Sequence, residues 1–174
     1  MHGQEDHIVL VNDQDEEVGS MEKMEAHRKG LLHRAFSVFI MNRMGEMLIQ
    51  QRAEGKYHSG GLWSNACCSH PRKGERTEEA AHRRLQEELG FDCELRPLFT
   101  VKYCAEVGEN LIEHELDHIY IGNYDGAPEA NKDEVKDYQY VAIHRLEQWM
   151  RDRPEEFTYW FRLALPEFKV HCNQ

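Results

Sequence analysis

Residues 77–91 read TEEAAHRRLQEELGF, and this stretch predicts the clearest helix of the chain. Its apolar side chains recur at four-residue spacing and would form one face, at Ala81, Leu85 and Leu89. Thr77 is expected as the N-cap, and Gly90 supplies the usual C-terminal stop. The stretch therefore predicts an amphipathic helix that packs on one side of a larger core.

Apolar and β-branched stretches surround this helix and predict a sheet. Residues 35–41 (AFSVFIM) are apolar on both faces, as in a central strand that is covered on two sides. Further strands are predicted at residues 47–51, 62–70, 99–105, 111–122 and 138–143, and short helices at about 144–153 and 159–165, each ended by a proline. This order predicts an α/β (α+β) fold, a mixed sheet layered between helices, with residues 1–174 forming one domain.

The composition excludes several classes of protein. The 174 residues carry a formal net charge of −11 and an isoelectric point near 5.4, so neither nucleic acid nor a membrane is expected as a partner. We expect neither a signal peptide nor a membrane span, because no apolar run is long enough. Five unevenly spaced cysteines argue against a disulfide framework. We therefore expect a cytoplasmic protein, and the sequence leaves its oligomeric state open.

Charged residues beside the apolar face of the helix allow two interpretations. Glu88 lies three residues after Leu85, and Arg84 lies four residues before Glu88, so both flank the buried stripe. A carboxylate at such a position needs a cation or several donors to offset its desolvation. Alternatively, the four charges form solvated pairs on an ordinary amphipathic helix: Arg83, Arg84, Glu87 and Glu88.

Three histidines and two carboxylates form a second candidate site. Glu113 and Glu115 would share one face of a strand, where their charges repel each other unless a cation lies between them. With His27, His33 and His70 they would offer nitrogen and oxygen ligands suited to divalent zinc, manganese or iron. Each of the 11 histidines could instead be an ordinary surface or hydrogen-bonded residue.

The helix and the residues before it resemble the Nudix box, a glycine and a glutamate followed by Arg-Glu-apolar-x-Glu-Glu-x-Gly-apolar. The residues in register are Glu75, Arg83, Leu85, Glu87, Glu88, Gly90 and Phe91. Two positions depart from it, because Ser69 replaces the opening glycine and Arg84 replaces a glutamate of the metal-binding set. The resemblance therefore implies a Nudix-like scaffold that binds a diphosphate without hydrolysing it.

Nearly the whole chain resembles the type I isopentenyl diphosphate isomerases. The most specific match is residues 63–71 (WSNACCSHP) with a later Glu-His-Glu at residues 113–115. Other matching stretches are residues 22–27, 32–37, 51–53, 74–75, 83–90 and 133–135, with Tyr103 and Trp160. The resemblance implies an enzyme of isoprenoid biosynthesis that interconverts isopentenyl diphosphate and dimethylallyl diphosphate by protonation and deprotonation.

The resemblance also implies a role for each site residue. The acid–base pair would be Cys68 and Glu115, supported by Tyr103. One divalent ion, Mn²⁺ or Zn²⁺, would be held by His27, His33, His70, Glu113 and Glu115. The substrate diphosphate would bind Lys23, Arg52, Lys56 and Arg84 together with Mg²⁺, whose ligands would be Glu88 and the Cys68 carbonyl. Trp160 would face the carbocation with its π electrons.

Strand geometry separates the two adjacent cysteines. In an extended backbone Cys67 and Cys68 point to opposite faces, whereas Cys68 and His70 share one. We therefore expect Cys67 in the core and Cys68 in the site, where cations should lower the pKa of its thiol. The alternative is that both are small core residues.

Two other functions stay open from the residues. A Nudix hydrolase would need another carboxylate to replace the one missing at position 84. A non-catalytic zinc module would use Cys67, Cys68 and His70 as structural ligands, although adjacent cysteines are awkward for one tetrahedral site. The other site residues would then be surface charges or core aromatics: Lys23, Arg52, Lys56, Tyr103 and Trp160.

Overall fold

The computed structural model describes residues 6–173 and places a mixed sheet between helices. The first half comprises strands β1 (His7–Val11) and β2 (Glu17–Glu22), helix α1 (Lys23–Lys29), and strands β3 (His33–Met41), β4 (Glu46–Arg52), β5 (Trp63–Asn65) and β6 (Cys67–Ser69). Helix α2 (Thr77–Leu89), strands β7 (Leu95–Glu106), β8 (Ile112–Asn123) and β9 (Val135–Ala142), and helices α3 (Ile143–Asp152) and α4 (Tyr159–Cys172) follow. The predicted α+β class is confirmed.

Strand β3 is the centre of the sheet, as its apolar sequence predicts. Strand β8 runs parallel to it along all 9 residues, from His33 opposite Glu115 to Met41 opposite Asn123. The other edge of β3 is shared in turn by β1, β6 and β4, all antiparallel to it. The sheet therefore curls around β3, and the start of β3 lies beside the acidic residues of β8.

Helices cover both faces of the sheet. On one face Phe36 and Val38 pack in a core cluster with Leu85 of α2. On the other face Phe39 packs against α4, its ring stacked 4.7 Å from that of Phe168. A fully buried aliphatic or aromatic side chain of this kind stabilises the fold by about 1.5–3 kcal/mol. Within residues 6–173, no helix has the length and apolar character needed to cross a membrane.

The N-terminal hairpin and α1 were not predicted from the sequence. Strands β1 and β2 pair with each other, and β1 reaches β3 at a single position, Leu10 opposite His33. The Glu22 carboxylate caps α1 by accepting two backbone N–H groups at 2.9 Å. Gly30, with φ of 65°, ends the helix in the left-handed conformation. This short capped helix fixes the orientation of the buried His27.

Three local predictions are corrected. The strand expected at residues 62–70 is two strands, β5 and β6, which break at Ala66 and pair with different partners, β4 and β3. Helix α2 has Arg76 rather than Thr77 at its N-cap. Helix α4 continues through Pro166, although proline removes one helical hydrogen bond, because buried residues on both sides of it pack on the sheet: Phe161, Leu165 and Phe168.

Candidate active site

Five side chains predicted as metal ligands meet near the start of β3 and β8. They come from α1, β3, β8 and the loop after β6: His27, His33, His70, Glu113 and Glu115. One donor atom from each residue lies within 4.8 Å of the others, and all but His70 are buried. The two-residue repeat of β8 turns both glutamates to the same side. The sequence prediction that these residues converge is confirmed.

Two of the histidines present Nε2 to the carboxylates. Nδ1 of His27 lies 2.6 Å from a backbone carbonyl oxygen of α1, and Nδ1 of His33 lies 2.8 Å from another just before β3. A carbonyl oxygen only accepts, so each Nδ1 carries a hydrogen, and a ring with no second hydrogen has a lone pair on Nε2. These Nε2 atoms lie 3.0 Å from Glu113 Oε1 and 3.4 Å from Glu115 Oε1, respectively. A cation, either a proton or a metal ion, is needed between such groups.

Unpartnered atoms in the cluster fit a metal ion. Among residues 6–173, Nε2 of His33 and Oε2 of Glu113 are buried without a hydrogen-bond partner. The two atoms are 3.9 Å apart, about the span of two metal–ligand bonds of roughly 2 Å each. His70 adds a neutral imidazole, since burial lowers its pKa to about 3. Histidines whose second nitrogen donates to a carbonyl are typical of metal sites. The donor set therefore suits a divalent ion.

Glu115 connects this cluster to a tyrosine. The Tyr103 hydroxyl donates to Glu115 Oε2 at 2.8 Å, while Oε1 lies 3.0 Å from Nε2 of His70. Burial and the nearby glutamates raise the pKa of Tyr103 well above 10, so its hydroxyl remains a donor. Burial alone would raise the pKa of Glu113, but the neighbouring side chains of Glu115, His27 and His58 hold it well below 4.5. Tyr103 and the histidines thus fix the two carboxylates from different sides.

The Cys68 thiol lies in a polar corner of the same cavity. Its sulfur accepts a hydrogen bond from Trp160 Nε1 at 3.1 Å, and the thiol donates to Asn65 Oδ1 at 3.4 Å. The Asn65 amide is itself held by two backbone carbonyls. Burial outweighs the positive charge of Arg52 and raises the pKa of Cys68 to about 12. The protein's own side chains therefore keep the thiol protonated, and the predicted lowering of this pKa by bound cations stays a prediction.

The neighbouring Cys67 faces away from the site. It is fully buried in the core cluster that contains Leu85 of α2, and burial raises the pKa of its thiol well above 9. The predicted opposite facing of Cys67 and Cys68 is confirmed. A structural zinc module that uses both cysteines with His70 is excluded, because one thiol lies on the wrong side of the sheet.

Basic side chains line the cavity that contains the thiol and the glutamates. This cavity has a volume of ≈ 210 Å³, and the four predicted diphosphate-binding residues all line it: Lys23, Arg52, Lys56 and Arg84. Burial and the nearby charge of Lys56 lower the pKa of Lys23. A concentrated basic pocket in a chain with a net charge of −11 indicates an anionic small molecule as its occupant.

Carboxylates hold two of these basic groups. Arg84 lies 3.0 Å from Glu88 Oε1 and also contacts Glu134, while Lys56 Nζ lies 3.7 Å from both Glu88 and Glu134. Glu88 is only 2% exposed, so the alternative of a solvated surface pair is wrong for this residue. Arg83 instead points to Glu75, with hydrogen bonds of 2.7 and 3.0 Å. Glu88 is thus a buried carboxylate at the edge of the basic pocket.

Trp160 also lines the cavity, and two further residues belong to the site. Trp160 is 5% exposed, and the Arg52 guanidinium carbon lies 5.1 Å from the centre of its ring. His58 contacts Glu113, and Glu134 contacts Arg84. Glu134 lies in a stretch that resembles the isomerases, but the resemblance implies no role for it. No sequence signal marked His58, because the residues it contacts are distant along the chain.

Comparison with known proteins agrees with this geometry. A family model described as the NUDIX domain matches residues 31–161. The isopentenyl-diphosphate Delta-isomerase of Pectobacterium atrosepticum is 55% identical over 90% of this chain and 88% of its own. Isopentenyl-diphosphate Delta-isomerase 2 of Aromatoleum aromaticum is 48% identical over 92% of this chain and 85% of its own.

A solved structure shares the fold. The crystal structure of DR0079 from Deinococcus radiodurans superposes with a TM-score of 0.72 at 21% identity, covering 84% of this chain and 89% of that one. At this identity the likeness concerns the fold alone, whereas the two relatives match across most of their length at about half of all positions. The chain therefore belongs to the isopentenyl-diphosphate Delta-isomerase family and carries a NUDIX domain.

Proposed function

We propose that this chain interconverts isopentenyl diphosphate and dimethylallyl diphosphate by an acid–base reaction. The observation that carries the proposal is the meeting, in one cavity, of the Cys68 thiol, the Glu115 carboxyl group and four basic side chains. The first two can exchange protons with a small apolar group, and the basic residues can bind a diphosphate. The two relatives at 55% and 48% identity carry the name of this activity.

The reaction needs an acid and a base on one substrate. A proton added to C4 of isopentenyl diphosphate leaves a tertiary carbocation at C3, and loss of a proton from C2 gives the allylic isomer. The reverse direction exchanges the two roles, so each protein group must act as an acid in one direction and a base in the other. An isolated alkene is a poor base, so the acid has to be placed closely and water excluded.

Cys68 and Glu115 are the proposed acid–base pair. The Cys68 thiol is protonated, and its hydrogen bonds with Trp160 and Asn65 fix its direction. The Tyr103 hydroxyl fixes one oxygen of Glu115. The Trp160 ring lies next to the thiol, where its π electrons would stabilise a carbocation.

We assign divalent cations to two places. His27, His33, His70, Glu113 and Glu115 would hold Mn²⁺ or Zn²⁺, whose charge would adjust the proton affinity of Glu115. Glu88 and the Cys68 carbonyl would hold Mg²⁺ with the substrate diphosphate, since Mg²⁺ commonly needs only one or two protein oxygens when phosphate supplies others.

The basic residues would bind the diphosphate and thereby place the alkene. Arg84 and Lys56 already lie together, held by the carboxylates of Glu88 and Glu134. A diphosphate would compete with these carboxylates for the two cationic groups through charge-assisted hydrogen bonds of its own. Lys23 and Arg52 would contribute further positive charge from other sides of the cavity.

A Nudix hydrolase is the alternative activity on this scaffold. Arg84 opposes it, because an arginine stands where the hydrolases have a metal-binding glutamate. The test is to incubate the purified protein with isopentenyl diphosphate and Mg²⁺ and to measure two products together. We expect an acid-labile allylic diphosphate and no inorganic phosphate. Release of inorganic phosphate without an allylic product would support the hydrolase instead.

A further inference from the structure

The loop between β4 and β5 carries an imidazole that the proposed mechanism does not use. His58 is 7% exposed, and its Nε2 lies directly against Oε1 of Glu113. Its ring meets Trp160 edge to face, with the ring centres 5.7 Å apart. His58 therefore touches one proposed metal ligand and the aromatic ring beside the thiol, although it comes from a loop that contributes neither.

Hydrogen positions on the histidines indicate which of them donates to Glu113. Nδ1 of His27 lies 2.6 Å from a carbonyl oxygen and must carry a hydrogen, so a ring with this single hydrogen cannot donate from Nε2. Nδ1 of His58 lies 3.0 Å from the Ser59 hydroxyl, which can donate to it and leave the hydrogen on Nε2. In this arrangement His58 is the imidazole that can give an N–H to Oε1 of Glu113.

The contact with His58 also affects the other carboxylate oxygen of Glu113, Oε2. Oε2 of Glu113 and Nε2 of His58 are both buried atoms without a hydrogen-bond partner among residues 6–173, and Oε2 lies 3.9 Å from Nε2 of His33. The contact of Nε2 of His58 with Oε1 of Glu113 is close but is not aligned as a hydrogen bond. A donor on Oε1 restricts rotation of the carboxylate and keeps Oε2 directed at the centre of the cluster. Metal-binding carboxylates are commonly oriented by such a hydrogen bond.

The loop that carries His58 is fixed from two sides. The Arg52 guanidinium donates to the His58 carbonyl at 3.1 Å. A side chain at Gly60 would approach the Glu54 carbonyl oxygen to 2.6 Å, so the chain turns there with no space for a larger residue. His58 therefore has a defined place in the structure, which an orienting donor requires.

We propose that His58 is a positioning residue of the metal centre, which donates from Nε2 to Glu113 and holds that carboxylate for the metal ion. The inference rests on the metal centre of the proposed function and adds a residue outside its ligand set. Packing against Trp160 is the competing role, and it would need only the shape of the ring.

Two substitutions separate donation from packing. His58→Phe keeps an aromatic ring but has no N–H, whereas His58→Gln keeps an N–H at a similar reach. His144 is an exposed histidine of α3, so His144→Gln is the matched control. The measurement is the affinity of each substrate-free protein for Zn²⁺ and Mn²⁺, by competition with a coloured chelator. Thermal unfolding of the metal-free proteins checks that each variant is folded.

We expect His58→Phe to bind metal about 10–100-fold more weakly than the unchanged protein. His58→Gln should stay close to the unchanged protein, as should His144→Gln. Unchanged affinity in His58→Phe, or equal losses in the Phe and Gln variants, would overturn the donor role. If the unchanged protein binds neither ion, the metal centre itself is refuted and this inference with it, so the two failures are distinguishable.

Discussion

The side chains of Cys67 and Cys68 lie on opposite faces of the sheet although the residues are adjacent. Cys67 is fully buried among the residues that pack against α2, while the Cys68 sulfur accepts a hydrogen bond from Trp160 at 3.1 Å. Burial raises the pKa of both thiols, so acidity does not distinguish them. What differs is access, because only Cys68 lines the cavity.

We therefore predict that Cys68→Ala nearly abolishes isomerisation with the fold intact, whereas Cys67→Ala keeps substantial activity. Steady-state turnover and thermal unfolding of both variants check this. An epoxide analogue of the substrate diphosphate should label Cys68 alone, because its bound position brings the reactive carbon to that thiol. Labelling of Cys67, or robust turnover by Cys68→Ala, would contradict the assignment.

Arg84 provides a second prediction, on substrate binding. We expect Arg84→Gln to raise KM more than it lowers kcat, because its contact with the diphosphate is the same throughout the reaction. Loss of a charge-assisted hydrogen bond costs about 1.5–3 kcal/mol, or about tenfold to a hundredfold in KM. Arg76→Gln is the control, since the Arg76 side chain is 76% exposed. An unchanged KM in Arg84→Gln would mean that Arg84 serves only its carboxylate partners.

Metal removal should reveal two separate cation requirements. Protein stripped by a chelator should be inactive with Mg²⁺ alone, and one equivalent of Mn²⁺ or Zn²⁺ should restore activity while Mg²⁺ is still required at substrate-like concentrations. The tightly bound ion should also raise Tm, because an ion that binds only the native state stabilises it. Full activity of the stripped protein without any divalent ion would be incompatible with the proposed centre.

The Glu75–Arg83 pair gives a prediction on acid stability. Burial alone would raise the pKa of Glu75, but hydrogen bonds from Arg83 and from a backbone N–H lower it below 4.5. The unfolded chain therefore takes up this proton at a higher pH than the native protein. The stabilisation is present above about pH 4.5 and is lost as the pH falls through the lower native pKa.

Substituting Glu75 tests this sign. Glu75→Gln should lower the free energy of unfolding at about pH 7, and the difference from the unchanged protein should shrink toward about pH 3. Urea denaturation at the two pH values measures both differences. Glu17→Gln, at an exposed position of β2, is the control. A Glu75→Gln difference of the same size at both pH values would show that the pair does not perturb this titration.

The sequence predicted the parts of the fold that depend on regular apolar spacing. Helix α2 and strand β3 carry such patterns, and both were located to within two residues. The N-terminal hairpin was missed because β2 is half exposed and polar, and α1 has only 7 residues. Pro166 was misread as a helix end, because packing against the sheet outweighs the local cost of one missing hydrogen bond.

The residues of the candidate site also fall into those that the sequence identified and those that it did not. The histidines, glutamates and basic residues were selected by family resemblance, and the structure brings them to one place. His58 had no such signal, because its contact with Glu113 is created by a tight loop packing on a distant strand. The rise that burial causes in the pKa of Cys68 was not predicted, since its extent of burial cannot be read from neighbouring residues.

The source of the transferred proton tests the central claim most directly. Isopentenyl diphosphate should be incubated with the metal-loaded protein in ²H₂O, and the products followed by NMR. If protein groups that exchange with solvent deliver the proton to C4, dimethylallyl diphosphate will form with deuterium in a methyl group and its diphosphate intact. Cys68→Ala should form almost none. An allylic product that carries no deuterium, or inorganic phosphate in place of that product, would contradict the account.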